Sequence, residues 1–493
     1  MKTTSQVPAL RIQTLNDAAV RDDGAFVLYW MIACRRATYN FSLQHAVGLA
    51  QTLRKPLVVL EALRCDYPWA NDRHHRFVLD GMADNATAFA GTDALYYPYV
   101  ELERGGGKGL LETMAGHACA VVTDDFPCFF LPRMVRTAAE RVRVRLEQVD
   151  SNGLIPLHAS GAAFPTAYAF RRFVQKHARE HLDAVPQAEP LRDVRLPRLN
   201  ELPNSISDRW PCAGTRLLAG QGQVLAALPI DHSVPPVTLK GGSVAARSAW
   251  TRFLRERLAN YPRDRDEPEK NGTSGISPYL HFGHISSHEL FAGLMKVERW
   301  TPRKCAADHT GKRSGWWGVG AASEALLDQL VVWRELGFNM CAHRPDYDRY
   351  ESLPSWARET LEAHAADRRP FLYDIATLEQ GRTHDRLWNA AQGQLRRDGW
   401  FHNYMRMLWG KKILEWSTHP RDALHVMMEL MNKYSLDGRD PNSYSGYFWT
   451  LGRYDRPWPE RPICGKVRYM SSANTARKLS VTGYMEKYAD PNG

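Results

Sequence analysis

The sequence contains no closely spaced cysteines. Its eight cysteines are scattered along 493 residues, and no two of them form a CxxC pair. Zinc ribbons and iron–sulfur clusters need grouped thiolates, and a disulfide framework is typical of small secreted domains. We therefore expect neither a metal site nor a disulfide framework.

Long apolar runs are also missing. Residues 1–24 are polar and lack the apolar core of a signal peptide, and no segment reaches the roughly 20 apolar residues that cross a bilayer. We expect a cytoplasmic protein without a membrane partner, because a reducing compartment suits ungrouped cysteines.

A dinucleotide-binding glycine motif is the third absence. The first apolar run, residues 25–31, predicts a buried strand, but no GxGxxG sequence follows it. The glycines at 105–107 are interpreted as a flexible loop, with phosphate binding as the alternative. The N-terminal part is therefore not interpreted as a dinucleotide site, although an open parallel sheet can hold another ligand at the carboxyl ends of its strands.

Hydrophobic patterns divide the chain into three parts. Up to residue 185, short apolar runs alternate with helical periodicity, which predicts a Rossmann-like parallel sheet. Residues 186–242 are rich in proline and have little periodicity, as expected for a linker laid over a surface. From residue 243 the pattern is helical almost throughout. The predicted fold class is α/β + all-α, with domains 1–185 and 243–493 joined by the linker 186–242.

The individual elements follow from the same patterns. The predicted strands are 25–31, 56–60, 95–100, 120–123 and 144–149. The predicted helices between them are 42–54, 76–90, 108–117 and 131–141. The predicted helices of the second domain are 245–258, 284–297, 321–336, 355–366, 384–397, 404–416 and 421–434.

Positive charge is in excess. The formal net charge is +10 and the pI is near 9.1, which favours a polyanionic partner, although charge alone is weak support. Residues 453–468 are interpreted either as a surface that grips phosphates and stacks a base or as a charged loop. This segment and its surroundings contain Arg453, Arg456, Arg461, Lys466 and Arg468 interleaved with Tyr454, Trp458 and Tyr469. Lys411 and Lys412 are expected on a solvated helix face.

Two further segments admit two interpretations each. The sequence NGTSGISP at 271–278 is a turn rich in glycine and hydroxyls, which either binds a phosphate or is a capped loop. Trp409 and Trp416 are seven residues apart and lie on one helix face, and a turn at 398–399 brings Trp388 alongside. These tryptophans form either a core or a route for an electron to a buried cofactor.

Taken together, seven motifs carry a family resemblance. They are SPYLHFG (277–283), WREL (333–336), WNAAQ (388–392), YMRM (404–407), KKILEW (411–416), LDGRDPN (436–442) and GKVRYM (465–470). In order and spacing, from about residue 28 to 488, the sequence resembles the DNA photolyase and cryptochrome family, and within it the class II cyclobutane pyrimidine dimer photolyases. The resemblance implies an α/β antenna domain and a helical domain that binds FAD.

The activity implied by this resemblance is light-dependent DNA repair, in which an electron from reduced FAD splits a cyclobutane pyrimidine dimer. The implied partner is ultraviolet-damaged DNA, and the protein is expected to be a monomer. An antenna chromophore, 8-hydroxydeazaflavin or a folate, is implied for the α/β domain. A cryptochrome-like photoreceptor without repair activity and repair of (6-4) photoproducts are the alternatives.

The resemblance also implies roles for individual residues. The FAD-binding residues are Tyr261, Thr273, Ser274, Gly275, Ile276, Ser277, Arg406, Asp437, Gly438, Arg439, Asp440 and Asn442. The electron-transfer residues, from proximal to distal, are Trp409, Trp388 and Trp416. The residues for the dimer and the DNA are Trp333, Trp449, Met407, Arg456 and Arg468.

Three positions depart from the family pattern. Gln329 stands four residues before Trp333, where class II enzymes have an acidic residue, and glutamine can donate a hydrogen bond but not a proton. Asn403 replaces a glycine, and Met431 replaces an asparagine expected near the reactive edge of the flavin. We hypothesise that Asn403 supplies the polar contact that Met431 cannot, so both Gln329 and Asn403 are candidate catalytic residues.

Overall fold

The computed structural model describes residues 6–220 and 222–489, and it divides into two compact units. The sheet unit is built from the described residues of Met1–Ser160, His177–Thr251 and Ile276–Pro302. The helical unit is built from those of Gly161–Lys176, Arg252–Gly275 and Arg303–Gly493. Each unit takes three segments of chain, whereas the sequence predicts a single linker at 186–242; those domain limits remain a prediction.

One six-stranded sheet forms the centre of the sheet unit. Its strands are β1 (Ile12–Thr14), β2 (Phe26–Met31), β3 (Leu57–Leu63), β4 (Leu95–Val100), β5 (Ala118–Asp124) and β6 (Arg145–Val149). The order is β1-β6-β5-β2-β3-β4, with all neighbours parallel except β1, which is antiparallel to β6. Every residue of β2 and β5 is buried, as expected for central parallel strands. The predicted parallel α/β fold is confirmed, and β1 is an additional edge strand.

Helices accompany these strands along the chain. They are α1 (Phe41–Leu53), α2 (Asp72–Phe89), α3 (Leu110–His117), α4 (Leu131–Arg141), α5 (Ala167–His181), α6 (Asn204–Ser207), α7 (Thr215–Leu218), α8 (Gly222–Ala226), α9 (Ser243–Glu256), α10 (Tyr261–Asp264), α11 (Ser277–His281) and α12 (Ser287–Val297). The proline-rich segment contains the short helices α6 to α8 and packs on the sheet unit, where the buried Trp210 donates from Nε1 to the carbonyl of Gly106 at 2.9 Å.

The rest of the helical unit follows α12. Its helices are α13 (Ala321–Leu327), α14 (Arg334–His343), α15 (Ser355–Ala363), α16 (Ile375–Gln380), α17 (Arg386–Asp398), α18 (Asn403–Trp416), α19 (Pro420–Tyr434), α20 (Pro441–Thr450), α21 (Ser472–Lys478) and α22 (Thr482–Tyr488). In the described part of this unit there is no strand beyond a single bridge between Arg461 and Gly465. The predicted helical C-terminal part is confirmed.

The carboxyl edge of the sheet is closed by the protein's own carboxylates. Oδ2 of Asp124, at the end of β5, accepts hydrogen bonds from three successive backbone N–H groups, those of Ile32, Ala33 and Cys34, at 2.8–2.9 Å. Its Oδ1 accepts from the hydroxyl of Tyr29 at 2.7 Å. Consecutive N–H groups after a central strand are where an open parallel sheet often binds an anion. Here an internal carboxylate occupies that position.

Glu61, in β3, is buried in the same way. Its carboxylate pairs with Arg35 at 3.0 Å and accepts from the amide of Asn85 at 2.8 Å and from the hydroxyl of Tyr96 at 2.6 Å. Both oxygens are therefore satisfied within the sheet unit, as buried charges require.

Candidate functional site

The tryptophan stack, defined as Trp388, Trp409 and Trp416, lies between α17 and α18. Asp385 caps α17 by accepting the N–H of Trp388 at 3.1 Å, and Gly399 ends it with φ 72°, a conformation that favours glycine. This sharp end lets the chain reverse into α18, so that residues of both helices meet. All three tryptophans are at most 1% exposed.

The three indoles contact each other directly. The rings of Trp388 and Trp409 are parallel within 3°, with centroids 6.3 Å apart, and the ring of Trp416 meets Trp388 edge-on at 5.4 Å. Nε1 of Trp388 donates to the carbonyl of Trp409 at 3.0 Å, and Nε1 of Trp409 donates to Gln392 at 2.9 Å. The structure thus brings together the predicted electron-transfer residues in the order Trp409–Trp388–Trp416. Their role stays a prediction.

The turn before α20, residues 436–442, forms a polar cradle against α18 and α19. Asp437 accepts from Arg406 of α18 at 3.2 Å and from Ser435 at 2.7 Å. Arg439 donates to the carbonyl of Asn432 at 3.0 Å. Asp440 caps α20 by accepting the N–H of Asn442 at 2.9 Å. Four of the predicted FAD-binding side chains, Arg406, Asp437, Arg439 and Asp440, are thus half-buried or buried in one turn and its neighbours.

Gly438 allows this turn to approach α19 closely. A Cβ atom at this position would lie 2.3 Å from the carbonyl oxygen of Met431 and 2.9 Å from Cα of Asn432. Its own carbonyl accepts the hydroxyl of Tyr447 at 2.5 Å. Any larger residue would push the cradle away from the end of α19.

Two buried donors in this cradle have no hydrogen-bond partner in the described part of the chain. They are Nδ2 of Asn432, whose residue is fully buried, and Nε of Arg406. Buried polar groups in native proteins are nearly always satisfied, so an orphaned donor indicates a ligand or water. The sequence alone could not reveal Asn432, because no pattern shows which buried amide lacks an acceptor.

The loop at 271–275 contains three more of the predicted FAD-binding residues, Thr273, Ser274 and Gly275. Arg257 holds it by donating to Asn271 Oδ1 at 2.8 Å and to the carbonyl of Thr273 at 3.0 Å. Gly275 has φ 69°, and open space surrounds the position of a Cβ. The side chains of Thr273 and Ser274 make no hydrogen bond within the described residues, so their hydroxyls are available to a phosphate.

The other predicted residues of this segment are accounted for separately. Tyr261 begins α10, is buried, and packs edge-on against Phe253 at 5.7 Å; burial raises the pKa of its phenol. Ile276 is buried and Ser277 is exposed where α11 begins. No hydrogen bond joins residues 271–275 to the cradle among the described residues.

Gln329 and Trp333 lie on a short π-helical segment, Asp328–Trp333, between α13 and α14. Such segments are rare and frequently occur at functional sites. Because this segment separates α13 from α14, the predicted continuous helix 321–336 is wrong in this detail. Arg171 anchors the segment with an ion pair to Asp328 at 2.8 Å. Both Gln329 and Trp333 are partly exposed.

Trp449 lies near the end of α20, which packs directly on α14. A Cβ at Gly337 of α14 would lie 2.9 Å from the carbonyl of Pro441 and from Oγ of Ser445, so only glycine permits this separation. The helix that carries Trp449 is thus a neighbour of the helix that directly follows Trp333. Trp449 is partly exposed, as is Met407 on α18.

Lys411 differs from its predicted position on a solvated face. It is 2% exposed, its Nζ donates to the carbonyl of Thr450 at 2.5 Å, and the ammonium lies 5.0 Å from the ring centroid of Trp449. Burial lowers the pKa of Lys411 to about 7. Lys412 is buried as well and pairs with Glu415 at 2.9 Å. Both lysines lie in the stretch of α18 from Leu408 to Leu414, in which every residue is buried.

The basic segment at 453–468 is only partly a free surface. Arg453 is 2% exposed and donates to the carbonyl of Tyr347 at 3.0 Å, so it cannot reach a phosphate. Arg468 pairs with Asp455 at 2.9 Å and stacks on Trp458 at 4.2 Å. Arg456 is exposed and lies 5.2 Å from the ring of Trp458.

Two of the three departures from the family pattern lie on the site helices α18 and α19. Asn403 is exposed at the first residue of α18, and Met431 is fully buried in α19. Our hypothesis that Asn403 supplies the polar group which methionine at 431 cannot provide remains a prediction. The buried amide next to Met431 is that of Asn432.

Other classes of site are not indicated. Among the described residues no group of three or more His, Cys, Asp and Glu side chains is arranged to hold a metal ion. No helix within residues 6–220 and 222–489 is long and apolar enough to cross a membrane. None of the eight cysteines forms a disulfide; Cys212 is exposed and the other seven are buried.

The fold and site define a two-unit protein in which a helical unit combines a buried tryptophan stack with a polar cradle that keeps two buried donors unpartnered among the described residues. The chain belongs to the DNA photolyase and cryptochrome family. It is 34% identical to a deoxyribodipyrimidine photo-lyase of Methanothermobacter thermautotrophicus, with 98% of each chain covered. It is 34% identical to a protein of the same name from Oryza sativa subsp. japonica, covering 94% of this chain and 87% of that one.

A third relative has a similar degree of identity. The deoxyribodipyrimidine photo-lyase of Potorous tridactylus is 31% identical over 96% of this chain and 82% of its own. A bacterial class III photolyase from Agrobacterium tumefaciens has the same fold, with a TM-score of 0.65 over 94% of this chain and 86% of that one, at 15% identity. No family model matches the chain.

Proposed function

We propose that this protein is a light-dependent lyase of class II type that splits cyclobutane pyrimidine dimers in ultraviolet-damaged DNA. The deoxyribodipyrimidine photo-lyases to which it is similar support the reaction. The observation that carries the proposal is the position of Arg406 and Trp409 on one face of α18. Arg406 has a buried donor without a partner in the cradle, and Trp409 belongs to the tryptophan stack.

FAD is the proposed cofactor. The cradle residues Arg406, Asp437, Gly438, Arg439, Asp440 and Asn442 would hold it, with Tyr261 and the loop 273–277 at its phosphates. The orphaned donors of Asn432 and Arg406 fit a ligand rich in carbonyl, hydroxyl and phosphate acceptors. When bound in its reduced form, FAD supplies the light-driven electron that opens the cyclobutane ring and takes it back afterwards.

The tryptophan stack is proposed to deliver electrons towards the cradle. Trp409, Trp388 and Trp416 are in ring contact, and their burial excludes water from the path. Each one-electron transfer therefore crosses only a few ångströms between aromatic rings.

Trp333 and Trp449 are proposed to flank the dimer after it leaves the duplex. Both indoles are partly exposed and would offer stacking surfaces, and Met407 would supply an adaptable apolar wall. The carboxamide of Gln329, four residues before Trp333, would donate a hydrogen bond to the lesion. Extraction costs less than for a normal base, because the dimer is already poorly stacked and paired. Arg456 and Arg468 would contact DNA phosphates.

Several finer properties belong to the same proposal. An antenna, 8-hydroxydeazaflavin or a folate, would bind the sheet unit. The protein would act as a monomer in the cytoplasm. Asn403 would contribute the polar group that Met431 lacks.

The test is repair of a defined substrate. Protein with FAD bound and chemically reduced is mixed with an oligonucleotide that contains one thymine dimer and is illuminated. Recovery of thymine absorbance is expected in the light and not in the dark. A matched oligonucleotide with a (6-4) photoproduct tests the second lesion class. No recovery at full FAD occupancy would overturn the proposal in favour of a photoreceptor without repair.

Gln329→Glu refines this test. The variant restores the carboxyl group found in class II relatives, so we expect it to repair at least as fast as the wild type. A slower Gln329→Glu variant would contradict the assignment of this side chain to the dimer.

A further inference from the structure

The indole of Trp449 lies close to two cationic side chains. Nζ of Lys411, on α18, is 5.0 Å from the centroid of the ring, and the guanidinium carbon of Arg468 is 5.6 Å from it. The two cations differ in their surroundings. Arg468 is partly exposed and pairs with Asp455 at 2.9 Å, whereas Lys411 is 2% exposed and has no carboxylate within ion-pair distance among the described residues. The ring is therefore a principal electrostatic partner of the buried ammonium.

The ammonium of Lys411 is also held at the end of α20. It donates to the carbonyl of Thr450 at 2.5 Å, and Thr450 is the last residue of that helix. The last carbonyls of a helix have no intrahelical donor and carry partial negative charge, so a cation is favourable there. The two helices touch at this point, because a Cβ at Gly410 would lie 2.7 Å from Oγ1 of Thr450. Lys411 thus contacts both the backbone of α20 and the indole of the preceding residue.

The contact reaches Trp449 from the interior of the helical unit. Because Lys411 is buried and Trp449 is partly exposed, the ammonium holds the ring from within the protein and leaves part of the indole at the surface. A partly exposed indole without such a contact can turn into other staggered rotamers. A desolvated cation–π contact is among the stronger attractions available to an indole, so this one favours a single orientation of the ring.

We propose that Lys411 is a positioning residue for lesion recognition, which holds the indole of Trp449 in the orientation that stacks on an extracted pyrimidine dimer. This inference rests on the proposed function, in which Trp449 is one wall of the lesion site. Lys411 does not touch the lesion and acts through Trp449.

The charge of Lys411 offers a way to weaken this contact without a substitution. Burial lowers the pKa of Lys411 from 10.5 to about 7, so the side chain is charged below that pH and neutral above it. Only the charged form attracts the face of the ring. Lesion recognition should therefore weaken as the pH rises through about 7.

The other charged and titratable side chains around Lys411 come from α18 and from the segment after α20. They are Lys412, Glu415, Asp455, Cys464 and Arg468. Four of them form two ion pairs, each at 2.9 Å, and burial raises the pKa of the fifth, the thiol of Cys464, to about 11. The substitution Lys411→Met separates the titration of this lysine from any change in these groups.

The first experiment observes the indole itself, without DNA or light. Full-length protein is labelled with fluorotryptophan, and the fluorine resonance of Trp449 is identified by its loss in Trp449→Phe. In the wild type this resonance should move with pH, with a midpoint at about 7. In Lys411→Met the movement should be absent. Lys412→Met, which removes the neighbouring lysine of α18, is the matched control and should titrate like the wild type.

The second experiment measures lesion recognition. Affinities for a duplex with one thymine dimer and for the same duplex without it are measured by fluorescence anisotropy in the dark at one salt concentration. The ratio of the two affinities should fall about tenfold in Lys411→Met, because only a fraction of the molecules then presents the ring in the competent orientation. In the wild type the ratio should fall in the same direction from about pH 6 to about pH 8.

A double variant separates positioning from a merely structural role. If Lys411 acts through Trp449, Lys411→Met should lower the affinity ratio no further once Trp449→Leu has removed the ring. If the lysine only stabilises the end of α20, the two losses should add. Additive losses, or a Trp449 resonance that stays constant through about pH 7 in the wild type, would overturn the inference. The titration of the wild type keeps the test decisive where Lys411→Met does not fold.

Failure here is distinct from failure of the proposed function. Wild-type protein that prefers the dimer and repairs it in the light, but whose Trp449 resonance does not titrate, would contradict only the role of Lys411. Wild-type protein that neither prefers nor repairs the dimer would contradict the proposed function, and with it the lesion-binding role of Trp449.

Discussion

The carboxyl edge of the sheet and the cradle of the helical unit both gather buried polar atoms, but they satisfy them differently. At the sheet edge, Asp124 accepts three backbone N–H groups and a hydroxyl, and Glu61 is paired with Arg35. In the cradle, Asn432 and Arg406 each keep a buried donor without a partner among the described residues.

This difference separates structural polarity from ligand-binding polarity. A network whose donors and acceptors are matched internally stabilises the fold and leaves nothing for a ligand to complete. A network with a missing acceptor carries a desolvation cost that a bound ligand can remove. The comparison therefore predicts opposite consequences for substitutions in the two regions.

The largest effect is expected at the sheet edge. Asp124→Ala would leave three backbone N–H groups buried without an acceptor and should lower the free energy of unfolding by about 4 kcal/mol. The urea midpoint of unfolding measures this loss. Asp124→Asn retains one accepting oxygen and should lose less. Equal losses in the two variants would mean that the hydrogen bonds at this edge do not carry the stability.

Buried charge gives the second test. In the sheet unit, the buried Arg11 and Asp150 neutralise each other at 3.1 Å, whereas Lys411 of the helical unit is buried with no carboxylate partner among the described residues. Burial lowers the pKa of Lys411 from 10.5 to about 7. Between these values the unfolded chain binds a proton that the folded chain releases, so stability rises with pH.

We therefore compare the wild type with Lys411→Met at two pH values. The free energy of unfolding of the wild type, relative to this variant, should rise by about 2 kcal/mol between about pH 7 and about pH 9. Lys412→Met, which removes a lysine paired with Glu415, controls for the loss of one positive charge. A relative stability that stays flat or falls with pH would show that burial does not lower the pKa of Lys411.

The third test addresses the orphaned amide. Asn432→Leu keeps the approximate volume and removes both the orphaned donor and the Oδ1 that accepts from Tyr447 at 3.2 Å. Because the Tyr447 hydroxyl keeps the carbonyl of Gly438 as an acceptor, the unfolding midpoint of the cofactor-free protein should not fall. FAD should bind about tenfold more weakly, the effect of one hydrogen bond of about 1.4 kcal/mol. Equilibrium dialysis and flavin fluorescence measure the affinity. A variant that binds FAD as tightly as the wild type would remove Asn432 from the cofactor site.

Sequence patterns predicted the regular parts of this protein well, for physical reasons. Strands β2, β3 and β5 are marked by short apolar runs because central parallel strands are buried on both faces. β6, next to the edge, is only partly buried and mixes polar and apolar residues. β1 has only the three residues Ile12–Thr14, too few for a pattern. The limits of α17 follow from a capping aspartate and a terminal glycine, Asp385 and Gly399. The π-helical segment at 328–333 escaped prediction because its distinction lies in the backbone hydrogen bonds.

The site was predictable only in part. The contact of Trp388 with Trp409 and Trp416 follows from helical spacing and one turn. The burial of Lys411 and the missing acceptor at Asn432 do not, because they depend on what other helices place around them.

The smallest effect is expected where a charge is exposed. The guanidinium of Arg456 has no carboxylate partner in the described part of the chain, whereas Arg453, three residues earlier, is buried against Tyr347. If Arg456 contacts one DNA phosphate, Arg456→Ala should weaken binding to damaged and undamaged duplexes alike and reduce the slope of log affinity against log salt by about 0.9. Fluorescence anisotropy at several salt concentrations measures both quantities. A change confined to damaged DNA would place Arg456 at the lesion instead, because a phosphate contact carries no information about the base.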